Sequence, residues 1–201
     1  MTYQTFVLAT RNPDKIKEIR NILHDEKWQL LSLRDFPNTG TLVEDGKTLL
    51  ENALKKARLV FQETGIPSLA DDTGLEVDAL NGAPGVRSRR FAGEMANYRK
   101  NNEKLLRLLQ DIPDEDRTAT FRCFVALVTP FEEKWVEGIC KGVILSEYRG
   151  QEGFGYDPLF YVPEKAQTFA EMSQEEKNIV GHRGKAFRKM AELIRRMECE
   201  E

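Results

Sequence analysis

Apolar residues follow two patterns that alternate along the chain, and together they predict an α/β fold. Short apolar, β-rich runs at 5–9 and 29–33 predict buried strands. In 14–23 and 48–64, apolar residues recur every three or four positions, which predicts amphipathic helices. The run 117–129 changes from alternating to continuous apolar residues, as in a strand whose second half is covered on both faces.

Polar residues predict how the first two helices begin, end and pair. Asn12 stands where it can cap the first helix, and Glu18 is expected on the outward face of that helix. Gly65 is expected to end the second helix. Glu51 and Lys55 are four residues apart on this helix, which favours a surface ion pair between them.

The second half of the chain repeats the alternation. A helix is predicted at 97–109, with Leu108 among the leucines that face the core. The run 134–145 is expected to pair antiparallel with the strand before it. A further helix should begin near Ser173, where Ser173 and Glu176 form a capping box, and a last amphipathic helix follows it.

Size and charge exclude some classes of partner. With 201 residues, the chain is expected to form a single domain over 1–201, without a separable linker. Hydrophobic residues make up 40% and charged residues 31%, and the formal net charge is −3. Because this balance gives no strongly basic surface, we expect no nucleic acid polymer as a partner.

Cysteine content and the apolar runs indicate the cellular compartment in which the protein is expected. Three cysteines without a CxxC pair make a disulfide framework improbable and favour a reduced, intracellular setting. We expect no signal peptide, because MTYQTFVLATRN lacks a basic segment followed by a long apolar run. No apolar run approaches membrane-spanning length, so we expect a cytoplasmic protein without a membrane partner.

The most informative stretch is 68–93, in which an apolar approach leads into two adjacent acids. Burying two like charges together is costly, so packing alone does not explain Asp71 and Asp72. We predict that the acids lie at the carboxyl end of a strand, followed by a turn at Thr73-Gly74. Such a pair is well placed to hold a divalent cation.

Two loops can add to such a site. The strand–loop–helix at Thr10–Lys15 can aim backbone N–H groups and the Lys15 ammonium at an anion, although an ordinary connection with a surface lysine explains it equally well. Glu44 is a candidate metal ligand, or a solvated loop acid. Gly46-Lys47-Thr48 is not a phosphate loop, because the required first glycine is missing.

Later segments contribute aromatic and basic residues. Phe154 and Tyr156 stand among glycines, an arrangement suited to stacking on a flat base, and core packing is the competing explanation. The trio Lys177, His182 and Arg183 is polar and clustered, although a lone histidine is more often structural. An anion site, a hard-metal site and a stacking platform together indicate a nucleoside phosphate bound with Mg²⁺.

These segments resemble the inosine/xanthosine triphosphate pyrophosphatases, which hydrolyse non-standard purine nucleoside triphosphates (ITP, dITP, XTP) to the monophosphate and pyrophosphate. The resemblance covers nearly the whole chain and is carried by LATRNPDKIKEI, LLENALKKA, LADDTGLEVDALNGAPGVRSRRFAG, GFGYDPLF and EKNIVGHRGKAF. It implies a long mixed, twisted sheet flanked by helices, two lobes with a nucleotide-binding cleft between them, Mg²⁺ as cofactor, and a homodimer that clears such nucleotides from the pool.

The resemblance also implies roles for individual residues. Asp72 is implied as the base that activates water, and Glu44 and Asp72 as the acids that bind Mg²⁺. The implied substrate-binding residues are Thr10, Arg11, Asn12, Pro13, Asp14 and Lys15 of the phosphate loop, Lys56 and Thr73, the base and sugar wall Phe154, Gly155, Tyr156 and Asp157, and the base-pocket residues Lys177, His182 and Arg183.

Two positions depart from the family pattern, and other functions compete with this one. Arg11 stands where relatives often have a small residue, and Gly181 replaces a serine that is common before the His-Arg pair. An aspartyl-phosphate phosphatase would need a second acid two residues beyond its nucleophile, which neither Asp71 nor Asp72 has. A nucleotide sensor without turnover is the alternative from a different class. A related branch acting on modified pyrimidines lacks the FGYD and HRG segments.

Overall fold

The computed structural model describes residues 5–24 and 26–199, which form seven strands and five α-helices. The strands are β1 Thr5–Leu8, β2 Gln29–Ser32, β3 Ser68–Val77, β4 Thr118–Val128, β5 Glu133–Ile144, β6 Phe160–Val162 and β7 Gln167–Thr168. The helices are α1 Pro13–Ile22, α2 Leu49–Thr64, α3 Tyr98–Leu109, α4 Gln174–Val180 and α5 His182–Cys199.

The strands form one mixed sheet in the order β2-β1-β3-β4-β5-β6-β7. β1 lies parallel to both β2 and β3, whereas β6 is antiparallel to β5 and to β7. The backbone contacts Thr129 N to Glu132 O and Ile144 N to Arg117 O make β4 and β5 an antiparallel hairpin, as predicted. The mixed α/β sheet expected from the sequence is therefore confirmed.

The described chain divides into two compact units. Unit 1 contains the chain up to Asp72, the segment Cys123–Gly138 and the chain from Arg183 onward. Unit 2 contains Thr73–Arg122 and Ile139–His182. The single domain with a nucleotide-binding cleft stays a prediction.

In unit 1, helices cover both faces of the sheet. Because side chains alternate along a strand, Phe6 and Leu8 of β1 pack with residues of α1 and α5, whereas Val7 packs with the buried face of α2. Each face holds a continuous apolar cluster, which fixes the sheet between the helices. The buried second half of β4, predicted from its continuous apolar run, belongs to this core.

Unit 2 has its own core, rich in aromatic residues. Phe121, Phe160 and Phe169 are buried with Leu105 and Leu109 of α3. Their rings lie within contact range of one another, with centroids 4.7 Å apart for Phe121 and Phe160. The core role expected for a strand aromatic thus holds for Phe160.

The predicted helix caps and helix ends were confirmed where the interacting residues lie close together in the sequence. Asn12 caps α1, Thr48 caps α2, and Gly65 ends α2 in the left-handed conformation. The capping box of Ser173 at the start of α4 is also present. All are set by neighbouring residues, so the sequence predicts them well.

Two predictions for α2 and α3 were wrong. Leu108 is 45% exposed, because the apolar stripe of α3 is narrower than the leucine run. Glu51 does not pair with Lys55. It accepts the backbone N–H of Lys47, and the Lys55 ammonium pairs with Asp45 at 2.8 Å.

The position of the paired acids was also wrong. β3 runs without a turn from Ser68 to Val77, so Asp71 and Asp72 lie in the middle of a strand and Thr73-Gly74 continues it. Both acids are nonetheless buried. The buried charges are tolerated because lysine and arginine side chains from other segments neutralise them.

Cys123 and Cys140 are buried as small hydrophobic residues, as expected. Among the described residues, no helix combines the length and apolarity that a bilayer crossing requires.

Candidate active site

A buried lysine on α2 forms ion pairs with two acids of unit 1. The side chain of Lys56 is only 3% exposed, and its ammonium donates to Asp72 Oδ1 at 2.6 Å, to Glu44 Oε1 at 3.0 Å and to the Asp71 backbone carbonyl at 2.7 Å. Asn52, one turn earlier on α2, donates to the other Asp72 oxygen at 3.3 Å. The inward face of α2 thus presents one cation and one amide to the loop acid and the strand acid.

Burial and oppositely charged neighbours shift the pKa values of these groups in opposite directions. Burial by itself would lower the pKa of Lys56, but Asp72, Glu44 and Asp71 together raise it, so the ammonium stays charged. Burial raises the pKa of Asp72 above its usual value, and Glu44 adds to this effect, although Lys56 and Lys15 oppose it. Asp72 therefore holds a proton more readily than an exposed aspartate, as suits a proton acceptor.

A second group of charges surrounds Asp71. Lys15 Nζ lies 2.9 Å from Asp71 Oδ2, and Arg183 Nε lies 3.2 Å from the same oxygen. Arg183 Nη1 also reaches Glu18 Oε2 at 2.8 Å. Burial would raise the pKa of Asp71, but Lys15, Arg183 and Lys56 hold it far below its usual range, so Asp71 is a permanent carboxylate.

Glu18 corrects the prediction for α1. The helical pattern placed it outward, but it is 3% exposed because it pairs with Arg183, which is 165 residues further along the chain. No local signal could reveal that partner. Glu18 and Asn52 are the contributors to these clusters that the sequence analysis did not select.

The residues of the predicted phosphate loop lie around the start of α1. Asn12 Oδ1 accepts the N–H of Asp14 at 2.9 Å, and Asn12 N donates to Thr10 Oγ1 at 3.1 Å. Arg11 is exposed and donates to the Thr39 carbonyl at 2.8 Å. Pro13 occupies the first position of the helix and, like Asp14, is exposed. Of this loop, Lys15 is the residue that the structure joins to the acid cluster.

The donor set of unit 1 fits a magnesium ion. Oxygens of Glu44 and Asp72 come from separate segments but both lie within 3.0 Å of one atom, Lys56 Nζ. Mg²⁺ is commonly held by one or two carboxylates, with water and phosphate oxygens completing its octahedron. Within 5–24 and 26–199, no group of three or more His, Cys, Asp and Glu could hold a metal by itself. Two carboxylates plus a phosphate ligand are thus the arrangement that fits this chain.

In unit 2, the FGYD segment is held by a buried ion pair. Asp157 Oδ2 accepts the N–H of Phe154 at 2.8 Å and the ammonium of Lys177 at 2.7 Å. The Lys177 ammonium also lies 5.0 Å from the centre of the Phe154 ring. Gly155 is fixed by Asn102, which donates to its carbonyl at 2.9 Å. Phe154 is the aromatic of this segment that stays partly exposed.

The other unit 2 candidates are packed more deeply. Tyr156 is buried in the core and donates to the Ser88 carbonyl at 2.8 Å, and burial raises the pKa of its hydroxyl. His182 is buried and stacks on Phe121, with ring centroids 4.5 Å apart and planes 12° from parallel. Thr73 is partly exposed and follows Asp72 on β3.

The structure therefore divides the predicted residues between the two units. Unit 1 contains the Thr10–Lys15 loop, Glu44, Lys56, Asp72 and Arg183, of which contacts join Lys15 and Arg183 around Asp71 and join Glu44, Lys56 and Asp72 to one another. Unit 2 contains Thr73, Phe154–Asp157, Lys177 and His182, of which contacts join Phe154, Asp157 and Lys177. Arg183 belongs to the acid cluster by its contacts, although sequence reasoning grouped it with Lys177 and His182.

Gly181 lies at the joint between α4 and α5. Its N–H donates to the Lys177 carbonyl at 2.8 Å. A Cβ at this position would lie 2.5 Å from that carbonyl oxygen. The missing side chain thus lets the last turn of α4 close tightly.

Replacing Gly153 by Ala is expected to disturb the Asp157–Lys177 pair. Gly153 has φ of +78°, and a Cβ there would collide with Asp157 Oδ2. Gly82 has a similar φ of +81° but open space around its Cβ position, so Gly82→Ala isolates the backbone cost of about 1–2 kcal/mol. Gly153→Ala should lower the free energy of unfolding, measured in urea, by about 1–3 kcal/mol more than Gly82→Ala. Equal losses would show that Asp157 is not constrained by this glycine.

Known proteins resemble this chain over most of its length. A family model described as the Ham1 family matches residues 6–193. A dITP/XTP pyrophosphatase of Desulforamulus reducens is 52% identical over 192 residues, which cover 95% of this chain and 96% of the relative. A dITP/XTP pyrophosphatase of Geobacter sulfurreducens is 54% identical over 182 residues, covering 90% of this chain and 92% of the relative.

Among solved structures, a HAM1 protein from Coxiella burnetii superposes with a TM-score of 0.87 at 39% identity, covering 98% of this chain and 100% of that chain. The resemblance drawn from the motifs is therefore confirmed, as is the mixed α/β fold. Because the family match spans almost the whole chain, this protein belongs to the Ham1 family.

Proposed function

We propose that this chain hydrolyses non-standard purine nucleoside triphosphates, namely dITP, ITP and XTP, to the nucleoside monophosphate and pyrophosphate with Mg²⁺. The observation that carries the proposal is the cluster in which Asp72, Glu44 and Lys56 meet, in a chain whose relatives are named dITP/XTP pyrophosphatases. The intact cluster favours an enzyme over a sensor that has lost turnover.

The residues of unit 1 have complementary tasks in this reaction. The oxygen of the attacking water bonds to the α phosphorus while Asp72 accepts its proton, the bond from the α phosphorus to the bridging oxygen breaks, and pyrophosphate leaves with that oxygen. Lys15 provides positive charge for the leaving group, and Lys56 keeps Asp72 and Glu44 in place. Mg²⁺, held by Glu44 and Asp72, would neutralise phosphate oxygens.

We assign base recognition to the unit 2 residues. The partly exposed Phe154 offers a face for stacking, and the Lys177–Asp157 pair fixes its backbone. Hypoxanthine and xanthine carry a 6-oxo group that accepts a hydrogen bond, which the 6-amino group of adenine cannot do. A buried donor left without an acceptor would therefore discriminate against ATP.

The remaining assignments concern the setting of the enzyme. We propose that it works in the cytoplasm as a homodimer, because the nucleotide pool is there and the family resemblance implies a dimer.

A pyrophosphate-release assay across a nucleotide panel tests the proposed function. We expect dITP, ITP and XTP to exceed ATP and GTP in kcat/KM, by about 10⁴-fold over ATP, the discrimination that a hydrogen-bonding site reaches without editing. Guanine carries the same 6-oxo group, so the discrimination against GTP must depend on its 2-amino group. Chelation should abolish turnover, and added Mg²⁺ should restore it. Equal rates for all purine nucleotides would contradict the proposed selectivity, and turnover without a divalent ion would contradict the proposed metal dependence. Tight ITP binding with no product would favour the sensor.

A further inference from the structure

Glu18 is a buried acid to which the proposed reaction gives no task. Its side chain is 4% exposed and pairs with Arg183, whose side chain is 3% exposed. Burying an ion pair costs several kcal/mol per ion before the attraction offsets it. An apolar pair could fill the same space, so packing alone does not explain why charges occupy it.

The pair is one end of a chain of alternating charges that ends at the phosphate loop. The sequence of contacts is Glu18 to Arg183 at 2.8 Å, Arg183 to Asp71 at 3.2 Å, and Asp71 to Lys15 at 2.9 Å. Lys15 and Glu18 are three residues apart on α1 and therefore lie on the same face of the helix. Of the four side chains, Lys15 is the most exposed, at 18%.

Two cations of this chain share a single oxygen. Lys15 Nζ and Arg183 Nε both lie against Asp71 Oδ2. A stronger interaction of Arg183 with that oxygen would weaken the interaction of Lys15 with the same oxygen. Glu18 draws the guanidinium the other way through Nη1. The charge of Glu18 thus limits how strongly Arg183 competes with Lys15.

We propose that Glu18 is a positioning residue for triphosphate binding, which acts through Arg183 and Asp71 to keep the Lys15 ammonium oriented toward phosphate. The inference rests on the proposed function, because it assumes that Lys15 binds the phosphates. An oriented lysine loses less side-chain freedom when it meets its ligand than a free one.

The variants that test the proposal are Glu18→Gln, which removes the charge but keeps the shape, and Glu18→Asp, which keeps the charge on a shorter side chain. Glu26→Gln is the matched control. Glu26 also pairs with an arginine of α5, Arg195, at 2.8 Å, but takes no part in the Lys15 chain. Binding of inorganic pyrophosphate with Mg²⁺, measured by calorimetry, reports on the phosphate site without requiring turnover.

We expect Glu18→Gln to weaken pyrophosphate binding about tenfold, the scale of ordering one long side chain. Glu18→Asp should recover part of the loss, and Glu26→Gln should bind as the wild type does. In a Lys15→Met background, Glu18→Gln should have no further effect, since the residue through which it acts is gone. A merely structural role of Glu18 would leave the same loss with or without Lys15.

A second measurement covers the case in which Glu18→Gln folds poorly. Labelling of lysines by an amine reagent, read by mass spectrometry, should increase at Lys15 relative to the exposed Lys55 in Glu18→Asp, because the shorter acid restrains Arg183 less well. Unchanged labelling at Lys15 would overturn the proposal, as would normal pyrophosphate binding by Glu18→Gln. If the wild type releases no pyrophosphate from ITP in the panel assay, the proposed function itself fails, and that result is separate from either outcome.

Discussion

Replacing Asp72 by Asn is expected to lower kcat for ITP by about 10²–10⁴-fold, the usual contribution of a positioned base. The amide keeps the shape of the carboxylate but cannot take the proton of the attacking water. Asp72 accepts from Lys56 at 2.6 Å and from Asn52 at 3.3 Å, and the amide oxygen can retain the contact to Lys56. Because Asp72 is also a proposed Mg²⁺ ligand, the variant is compared with the wild type at saturating Mg²⁺, where nucleotide should still bind.

Steady-state kinetics with ITP at saturating Mg²⁺ measure this effect, and Asp45→Asn provides the control. Asp45 is an exposed acid paired with Lys55, so its loss should leave kcat unchanged. Near-normal turnover of Asp72→Asn would remove Asp72 from the role of base. A loss confined to KM would leave Asp72 a role in metal or substrate binding only.

Replacing Lys56 by Met is expected to lower the free energy of unfolding by about 3–5 kcal/mol, because removing one partner of a buried ion pair leaves an uncompensated charge. Here the acids left behind are Asp72 and Glu44. Urea unfolding in the absence of metal measures the loss. The neighbouring Lys55→Met is the control, since Lys55 is about half exposed and its pair with Asp45 should contribute about 0–1 kcal/mol.

Mg²⁺ should stabilise Lys56→Met more than the wild type. Without the ammonium, Glu44 and Asp72 present two charges that a divalent cation can neutralise, and binding to the folded state adds to its stability. If Mg²⁺ leaves the unfolding of Lys56→Met unchanged, these two acids do not form the metal site.

The difference between the predicted and observed elements has one physical source. Helix ends and strand runs depend on neighbouring residues, so Asn12, Gly65 and Ser173 were predicted correctly. Asp71 and Asp72 were predicted at a strand end because burying two like charges together is costly and Thr73-Gly74 indicated a turn. Lys15 and Lys56 make the interior position possible, and no sequence pattern shows that they meet these acids.

The same reason explains which site residues were found. Lys56 was selected by resemblance, whereas Asp72 was selected as one of two adjacent acids and by resemblance, and the structure brings the two side chains within hydrogen-bond distance. Glu18 lies within a quoted motif as well, but helical periodicity assigned it to solvent. Only the contact with Arg183 shows why it is buried.

Gly181 has a consequence for any substitution beside the His182-Arg183 pair. The serine that the family resemblance implies at this position would place its Cβ against the carbonyl oxygen of Lys177, 2.5 Å away. Lys177, whose ammonium pairs with Asp157 of the FGYD segment, would then have to move. Segment 177–181 should therefore be exchanged as one block, since a replacement at Gly181 alone would displace the backbone of Lys177.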